Sequence, residues 1–202
     1  MQSVIPGCAG MVPLELATAA DAADDGGAGC DGEAADGVRR PPTEAPTAIL
    51  AAYLDPEPDA TLTVPDIVLW KGGEVCDVVT PKSRHSCCFT KAYGHHVEGA
   101  GSFLQQAGGA ADLVAAGARY RARLAAGGPV GDEQCPLGVL RLRYFSDREV
   151  ARLLGFPPTF VFPASTTRKQ RYRMLGNSLS VTVVTELLFY LYREPETASR
   201  KN

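Results

Sequence analysis

The chain has 202 residues, 45% of them hydrophobic, and a formal net charge of −3. This length suits one domain of ordinary size, and the charge excludes a protein that binds polyanions by bulk charge alone. The charge is nevertheless uneven, because the first 60 residues are acidic and residues 119–173 are rich in arginine. A basic C-terminal part that follows an acidic N-terminal segment is compatible with a local surface that binds nucleic acid.

The six cysteines show no C-x-x-C spacing, which disfavours both a zinc site and a disulfide framework. We expect thiols without a redox role, in a reducing compartment. His95 and His96 are adjacent and would point apart on a strand, so no metal site is expected. We recognise no membrane span of about 18 apolar residues and no secretory signal. The expected location is therefore the cytoplasm, the nucleus or both.

The first part of the chain divides into a disordered segment and a region of mixed elements. Residues 1–47 are rich in Ala, Asp, Gly and Pro and lack apolar periodicity, so they are predicted to be disordered. After them we predict a short helix over residues 49–54, a helical turn over residues 65–70, a strand over residues 75–80 and a helix over residues 112–125.

A segment that we call the polar loop (residues 84–96) is polar, basic and aromatic at once. Glycines lie in it and directly after it, in the sequence EGAGS of residues 98–102. Such a composition is typical of a loop whose backbone approaches a ligand closely. An ordinary surface loop is the alternative.

The C-terminal part has clearer signals. Residues 138–145 alternate apolar residues with arginine, which predicts a strand. Ser146 and Glu149 form an S-x-x-E capping box at the start of a helix, and Gly155 is predicted to end that helix.

Two further helices are predicted after this point. Thr166 or Thr167 would cap a basic helix over residues 168–175, which Gly176 ends. Ser178 or Ser180 would start the last helix, which is apolar on more than one face and therefore needs a sheet to pack against.

Three passages resemble the cytosine-C5 methyltransferase family. Residues 88–94 (CFTKAYG) together with residues 98–102 are similar to the target-recognition signature of the branch that methylates cytosine 38 of tRNA(Asp). Residues 142–157 resemble the ninth conserved motif of the family, and residues 170–179 resemble the tenth. The last two passages occur in DNA and RNA enzymes alike, so a DNA substrate stays open.

The resemblance implies an α/β family. In this chain it implies a mixed α+β target-recognition domain (residues 48–137) and the C-terminal helices of an incomplete Rossmann-like, S-adenosylmethionine-dependent methyltransferase domain (residues 138–194), followed by a tail (residues 195–202). The sequence has no glycine-rich cofactor motif, Pro-Cys nucleophile loop, Glu-Asn-Val segment or Q-x-R-x-R strand.

Methylation of cytosine C5 needs a thiolate that adds to C6 and an acid that supports N3. Because the expected motifs for these groups are missing, no catalytic residue is predicted and the chain is expected to be inactive alone. Cys88 is an alternative nucleophile, since Arg84 and Lys91 would lower its pKa. The resemblance places it in the recognition domain instead.

The resemblance also implies two sets of ligand contacts. Asn177, Ser178 and Leu179 would close one side of the S-adenosylmethionine pocket, for which a plain helix–helix turn is the alternative. The implied contacts to the anticodon loop of tRNA are Arg84, Cys88, Phe89, Thr90, Lys91, Tyr93 and Arg171. Two other hypotheses are a non-catalytic RNA-binding module and a degenerate product whose exposed last helix promotes aggregation.

Overall fold

The computed structural model describes residues 48–130 and 133–192. The segment predicted to be disordered, residues 1–47, and the predicted tail, residues 195–202, lie outside this range. Within the described residues, three short 3-10 turns accompany the helices and strands, namely Leu50–Tyr53, Ala60–Leu62 and Pro136–Leu140. In chain order the regular elements of the described residues are α1 Asp66–Gly72, β1 Asp77–Val79, β2 Ser102–Leu104, α2 Ala110–Ala125, α3 Asp147–Leu153, α4 Arg168–Gly176 and α5 Val181–Tyr192.

The predicted helix starts are confirmed at α3 and α4. At α3, the Ser146 hydroxyl accepts a hydrogen bond from the Glu149 amide at 3.0 Å, and the Glu149 carboxylate accepts one from the Ser146 amide at 2.7 Å. At α4, Thr167 is the capping residue, and Gln170 completes the same reciprocal pattern. Both helices therefore begin where local side chains satisfy their free amides.

Strands β1 and β2 form a two-stranded parallel sheet, in which Asp77 pairs with Ser102 and Val79 pairs with Leu104. Parallel strands require a long crossover connection. Here residues 80–101 make that connection, and it contains the polar loop. Both ends of this connection are consequently held by the same small sheet.

The predicted strand over residues 138–145 is wrong. Pro136–Leu140 is a 3-10 turn instead, and Arg141 follows in the left-handed region with a φ of 49°. Within residues 138–145 the only β-bridges are isolated antiparallel ones, from Arg143 to Thr63 and to Leu104. The alternation failed as a signal because Arg143 is buried, only 3% exposed, rather than facing solvent.

The buried side chains form two clusters. The first surrounds α2 and the turn before Arg141, and contains Val64, Leu69, Cys76, Phe103, Ala116, Tyr120, Cys135, Leu137, Leu140 and Leu142. The second contains Leu50, Val79, Tyr93, Leu104, Phe145, Val150, Ala151, Tyr172 and Leu175. Both clusters combine residues from the predicted recognition region and the predicted C-terminal region, so the two regions pack against each other.

Helix α5 contributes no buried residue. Its apolar side chains face solvent, and Leu187, Phe189 and Leu191 are 56%, 69% and 71% exposed. The prediction of a last helix that is apolar on more than one face is confirmed. Length and composition alone would allow Arg168–Tyr192 to cross a membrane, with a mean hydropathy of 1.4. This is weak evidence, because a turn at residues 177–180 separates α4 from α5.

Candidate functional site

Tyr93 anchors the polar loop to the core. Its hydroxyl donates a hydrogen bond to the Ser102 carbonyl oxygen at 2.8 Å and accepts one from the Phe145 amide at 2.8 Å. Burial raises the pKa of Tyr93 well above its ordinary value, so the hydroxyl stays protonated and can donate. Tyr93 was predicted as an RNA contact, but its side chain is only 2% exposed and holds the loop in place.

Aromatic rings fill the space beneath the polar loop. The ring of Phe89 lies edge-on to those of Tyr93 and Phe145, with centroids 4.9 and 5.3 Å apart. Tyr93 in turn lies edge-on to Tyr172 of α4, at 5.0 Å. Edge-to-face pairs of this kind are favourable beyond the area they bury. Phe89 is half-buried as a result, and it offers only part of its ring to a ligand.

Ser102 is a functional support that the sequence did not single out. Its hydroxyl accepts a hydrogen bond from the Cys87 amide at 2.8 Å and donates a short one to the Asp77 carboxylate. The side chain is fully buried. It therefore joins the polar loop to both strands of the sheet.

The cationic residues of the polar loop face outward. Arg84 and Lys91 are exposed, as are Cys88 and the three histidines, while Thr90 is half-buried. The described residues contain no group of His, Cys, Asp and Glu that could hold a metal ion. The outer face of the loop is thus a polar surface with positive charge, carried on an aromatic base.

Helix α4 is fixed to the same aromatic base. The Tyr172 hydroxyl donates to the Phe145 carbonyl oxygen at 2.6 Å, and burial raises its pKa. Tyr93 and Tyr172 therefore bind the amide and the carbonyl of one residue, Phe145, from two sides. This arrangement ties the polar loop, the segment before α3 and helix α4 together.

Two arginines of α4 are engaged in ion pairs within the chain. The Arg171 guanidinium lies 2.9 Å from the Asp147 carboxylate and 5.7 Å from the ring centroid of Phe162. Arg168 pairs with Asp59 at 2.9 Å. The other two basic side chains of this helix, Lys169 and Arg173, are exposed, as is Arg168. RNA contact by Arg171 remains a prediction, and it would have to coexist with the Asp147 pair.

The segment of residues 176–179, which we call the GNSL segment, turns the chain from α4 into α5. Asn177 is exposed and Leu179 is 72% exposed. The Ser178 hydroxyl donates to the Leu175 carbonyl oxygen at 2.6 Å, which fixes the turn. The Val181 amide donates to the Leu154 carbonyl oxygen at 2.7 Å, so the start of α5 is held against the end of α3.

Gly176 brings the GNSL segment against the polar loop. A methyl group at this position would overlap the Lys91 amide and lie 2.5 Å from the Thr90 carbonyl oxygen. Gly176 was predicted as a helix stop, and it is the last residue of α4. It has no positive φ, however, so a left-handed helix cap does not explain the glycine. The close approach of the polar loop does.

The buried thiols of the described residues are poor nucleophiles. Burial raises the pKa of Cys76 to about 12, and it also raises the pKa of Cys135. Both side chains lie in the first core cluster. Because the thiolate is the reactive form, neither cysteine can attack a base at neutral pH.

Comparisons with known proteins agree with the geometry. The family model for C-5 cytosine-specific DNA methylase matches residues 100–192. The tRNA (cytosine(38)-C(5))-methyltransferase of Rattus norvegicus is 43% identical over 143 residues, which are 71% of this chain and 35% of that protein. The Schizosaccharomyces pombe Dnmt2 methyltransferase structure superposes with a TM-score of 0.61 at 37% identity, over 74% of this chain and 43% of that one. For the Entamoeba histolytica methyltransferase EhMeth the TM-score is 0.57 at 28% identity, over 72% of this chain and 40% of that one.

The chain thus spans little more than a third of the rat relative. The solved structures that it resembles are methyltransferases, so its helices and small parallel sheet belong to a methyltransferase fold. The matched family model covers the two later passages that carry the resemblance, residues 142–157 and 170–179. The chain belongs to the cytosine-C5 methyltransferase family.

Proposed function

We propose that this chain provides RNA recognition and one side of the cofactor pocket for a tRNA (cytosine-5) methyltransferase that depends on S-adenosylmethionine. The observation that carries this proposal is the contact of the polar loop with Gly176. Through it, the exposed Lys91 lies beside the segment that contains Asn177. Groups suited to RNA and groups suited to the cofactor are therefore neighbours in space.

The RNA side of the proposal rests on the exposed cations. Arg84 and Lys91 can pair with phosphates, which supply affinity and fix the position of the nucleic acid. The partly exposed ring of Phe89 can support an unstacked base beside them. The rat relative is named for cytosine 38 of tRNA, and we propose the anticodon loop of tRNA(Asp) as the corresponding partner here.

The cofactor side rests on the GNSL segment. The exposed amide of Asn177 offers both a donor and an acceptor, and Leu179 offers an apolar surface next to it. These residues fit one side of a pocket for a ligand that has polar groups and an apolar ring. S-adenosylmethionine, when bound, supplies the methyl group as an electrophile. The residues of this chain would hold and orient that ligand.

Binding of tRNA by the purified chain tests the RNA side. We expect affinity that falls with salt, and the paired change of Arg84→Ala and Lys91→Ala should reduce the slope of log affinity against log salt by about 2. Arg119→Ala is the matched control, because it removes an exposed arginine from α2. The proposal fails if the chain does not bind tRNA at low salt, or if the control weakens binding equally.

A methyl-transfer assay tests whether this chain binds the ligands while the remaining part of the enzyme supplies the catalytic groups. We expect none from the chain alone with labelled S-adenosylmethionine, because the sequence has no Pro-Cys nucleophile loop and no Glu-Asn-Val segment. Transfer should appear when the part of the Schizosaccharomyces pombe protein that this chain does not match is added. Transfer by the chain alone would overturn the proposal.

The missing Pro-Cys nucleophile loop also favours a second candidate, a non-catalytic RNA-binding module. It predicts tRNA binding that persists while the added part of the relative restores no activity. A DNA substrate is distinguished in the same assay, since duplex DNA would then displace labelled tRNA at equal nucleotide concentration.

A further inference from the structure

Gly176 lies at the point where two predicted ligand-binding segments touch. Leu175 and Tyr172, its neighbours on α4, are 2% and 3% exposed and fix the helix in the second core cluster. On the other side of the contact, Thr90 and Lys91 belong to the polar loop. The contact is between backbones, so a side chain at residue 176 could not be accommodated by a change of rotamer.

A second contact on the same interface comes from the opposite direction. Gly94 of the polar loop has a φ of +86°, and a methyl group there would lie 3.0 Å from the ring of Tyr172. Small residues on both segments thus allow the loop and the helix to approach closely. The Thr90 amide, which donates to the Ala100 carbonyl oxygen at 3.0 Å, keeps the loop in the shape that makes this approach.

We propose that Gly176 is a positioning residue, whose missing side chain seats the polar loop on the end of α4 and so sets the place of Lys91 relative to the GNSL segment. The inference rests on the proposed function for the identity of the ligands. Its structural part does not depend on them. A shift at this contact moves the residues that face RNA relative to those that face the cofactor.

The substitution Gly176→Ala tests the proposal without a ligand. An added methyl group must push the main chain of the loop away, because α4 is held by its buried side chains. We expect faster amide hydrogen exchange at Thr90 and Tyr93, whose amides are bonded within the loop region. The amides of Val150 and Leu154 in and after α3 should keep their protection, which would show that the fold is intact.

Binding of tRNA supplies the second readout. In the same variant we expect affinity at low salt to fall roughly tenfold, the scale of one lost charge-assisted hydrogen bond. The salt slope should fall by about 1, because Lys91 no longer reaches its phosphate. A merely less stable chain would melt earlier with an unchanged salt slope. Met174→Ala is the control, since this side chain is on the same helix and 44% exposed.

The outcomes separate the two proposals. If the native chain does not bind tRNA but Gly176→Ala still loosens the loop, the proposed function fails and the positioning role stands. If loop exchange and tRNA binding are both unchanged, the positioning role is wrong. If Gly176→Ala also removes the amide protection of α3, Gly94→Ala replaces it as the test variant, because it strains the same interface from the loop side. Amide exchange in the loop and tRNA binding are then measured in that variant.

Discussion

The polar loop is irregular but has a buried anchor, whereas helix α5 is regular but exposed. The loop has almost no regular structure, yet Tyr93 within it is 2% exposed and bonded on two sides. Helix α5 is regular over Val181–Tyr192, yet none of its residues is buried. Regular secondary structure and a place in the core are therefore independent properties in this chain.

The difference has a physical origin in the partners that each region finds. The polar loop rests on an aromatic base, and the backbone amides of Cys87, Thr90 and Tyr93 donate hydrogen bonds within the chain. Helix α5 satisfies its own backbone, but its apolar side chains have no facing surface in the described residues. A helix that is apolar all round is normally buried, so α5 presents an apolar surface that the described residues leave uncovered.

The largest expected effect concerns the buried ion pair of Arg143 and Glu149. Arg143 donates to the Glu149 carboxylate at 2.7 and 2.8 Å, and the two residues are 3% and 0% exposed. Arg143→Met should leave a buried carboxylate without its partner and cost about 3–5 kcal/mol in the free energy of unfolding. Urea denaturation measures this loss.

The exposed pair of Arg123 and Glu133 gives the matched control. Its atoms are 2.8 Å apart, but solvent reaches both side chains. Arg123→Met should change the unfolding midpoint little, because exposed ion pairs are screened. Equal losses in the two variants would show that the environment of Arg143 is not as buried as described.

The next effect tests the anchor of the polar loop. Tyr93→Phe keeps the ring but removes the hydroxyl that binds the Ser102 carbonyl and the Phe145 amide. We expect a loss of about 1–3 kcal/mol, because buried polar groups are left unpaired. Tyr190→Phe on α5 is the control, at 80% exposure, and it should have no measurable effect. Similar melting curves for all three proteins would contradict the anchoring role.

A smaller effect is expected from Asp55 and depends on pH. Burial raises the pKa of this carboxyl, but hydrogen bonds from Arg152 and Ser146 outweigh it, so the net pKa lies below its ordinary value of 3.8. A depressed folded-state pKa stabilises the fold above 3.8 and loses that contribution as pH falls further. Asp55→Asn should therefore flatten the acid limb of the stability curve, by roughly 1 kcal/mol or less for a partly exposed pair.

Thermal melts from pH 6 down to about 2 follow this contribution across the range where carboxylates titrate. Glu57→Gln is the control, because it neutralises an exposed carboxylate close by in the chain. If the acid limbs of Asp55→Asn and the native chain have the same steepness, the Arg152 pair does not contribute to stability.

Local signals in the sequence were sufficient for the helices. The capping boxes of α3 and α4 depend on residues only three positions apart, so they can be recognised directly in the sequence. The cofactor-side segment was located by its resemblance to a family motif. The structure places Arg84, Lys91 and Asn177 at exposed positions, and their ligand contacts stay predictions.

What the sequence could not show were contacts between distant residues. Arg143 was predicted to face outward from a strand, because its burial depends on bridges to Thr63 and Leu104, which are far away in the chain. Tyr93 read as a ligand contact, because its bond to Phe145 spans more than fifty positions. The reason for Gly176 was equally hidden, since the polar loop that lies against it is far away in the chain.

The smallest effect on stability is expected in α5, and it completes the comparison. Leu187→Lys with Leu191→Lys changes residues that are 56% and 71% exposed, so the free energy of unfolding should change by about 0.5 kcal/mol or less. Solubility should rise, because the exposed apolar patch is interrupted. Leu175→Ala, a change at a 2% exposed residue, should instead cost about 2–5 kcal/mol.

If the lysine pair destabilises the chain as much as Leu175→Ala does, α5 packs on the core in solution. If the pair leaves stability intact but abolishes methyl transfer restored by the rest of the relative, α5 is the surface on which that part docks.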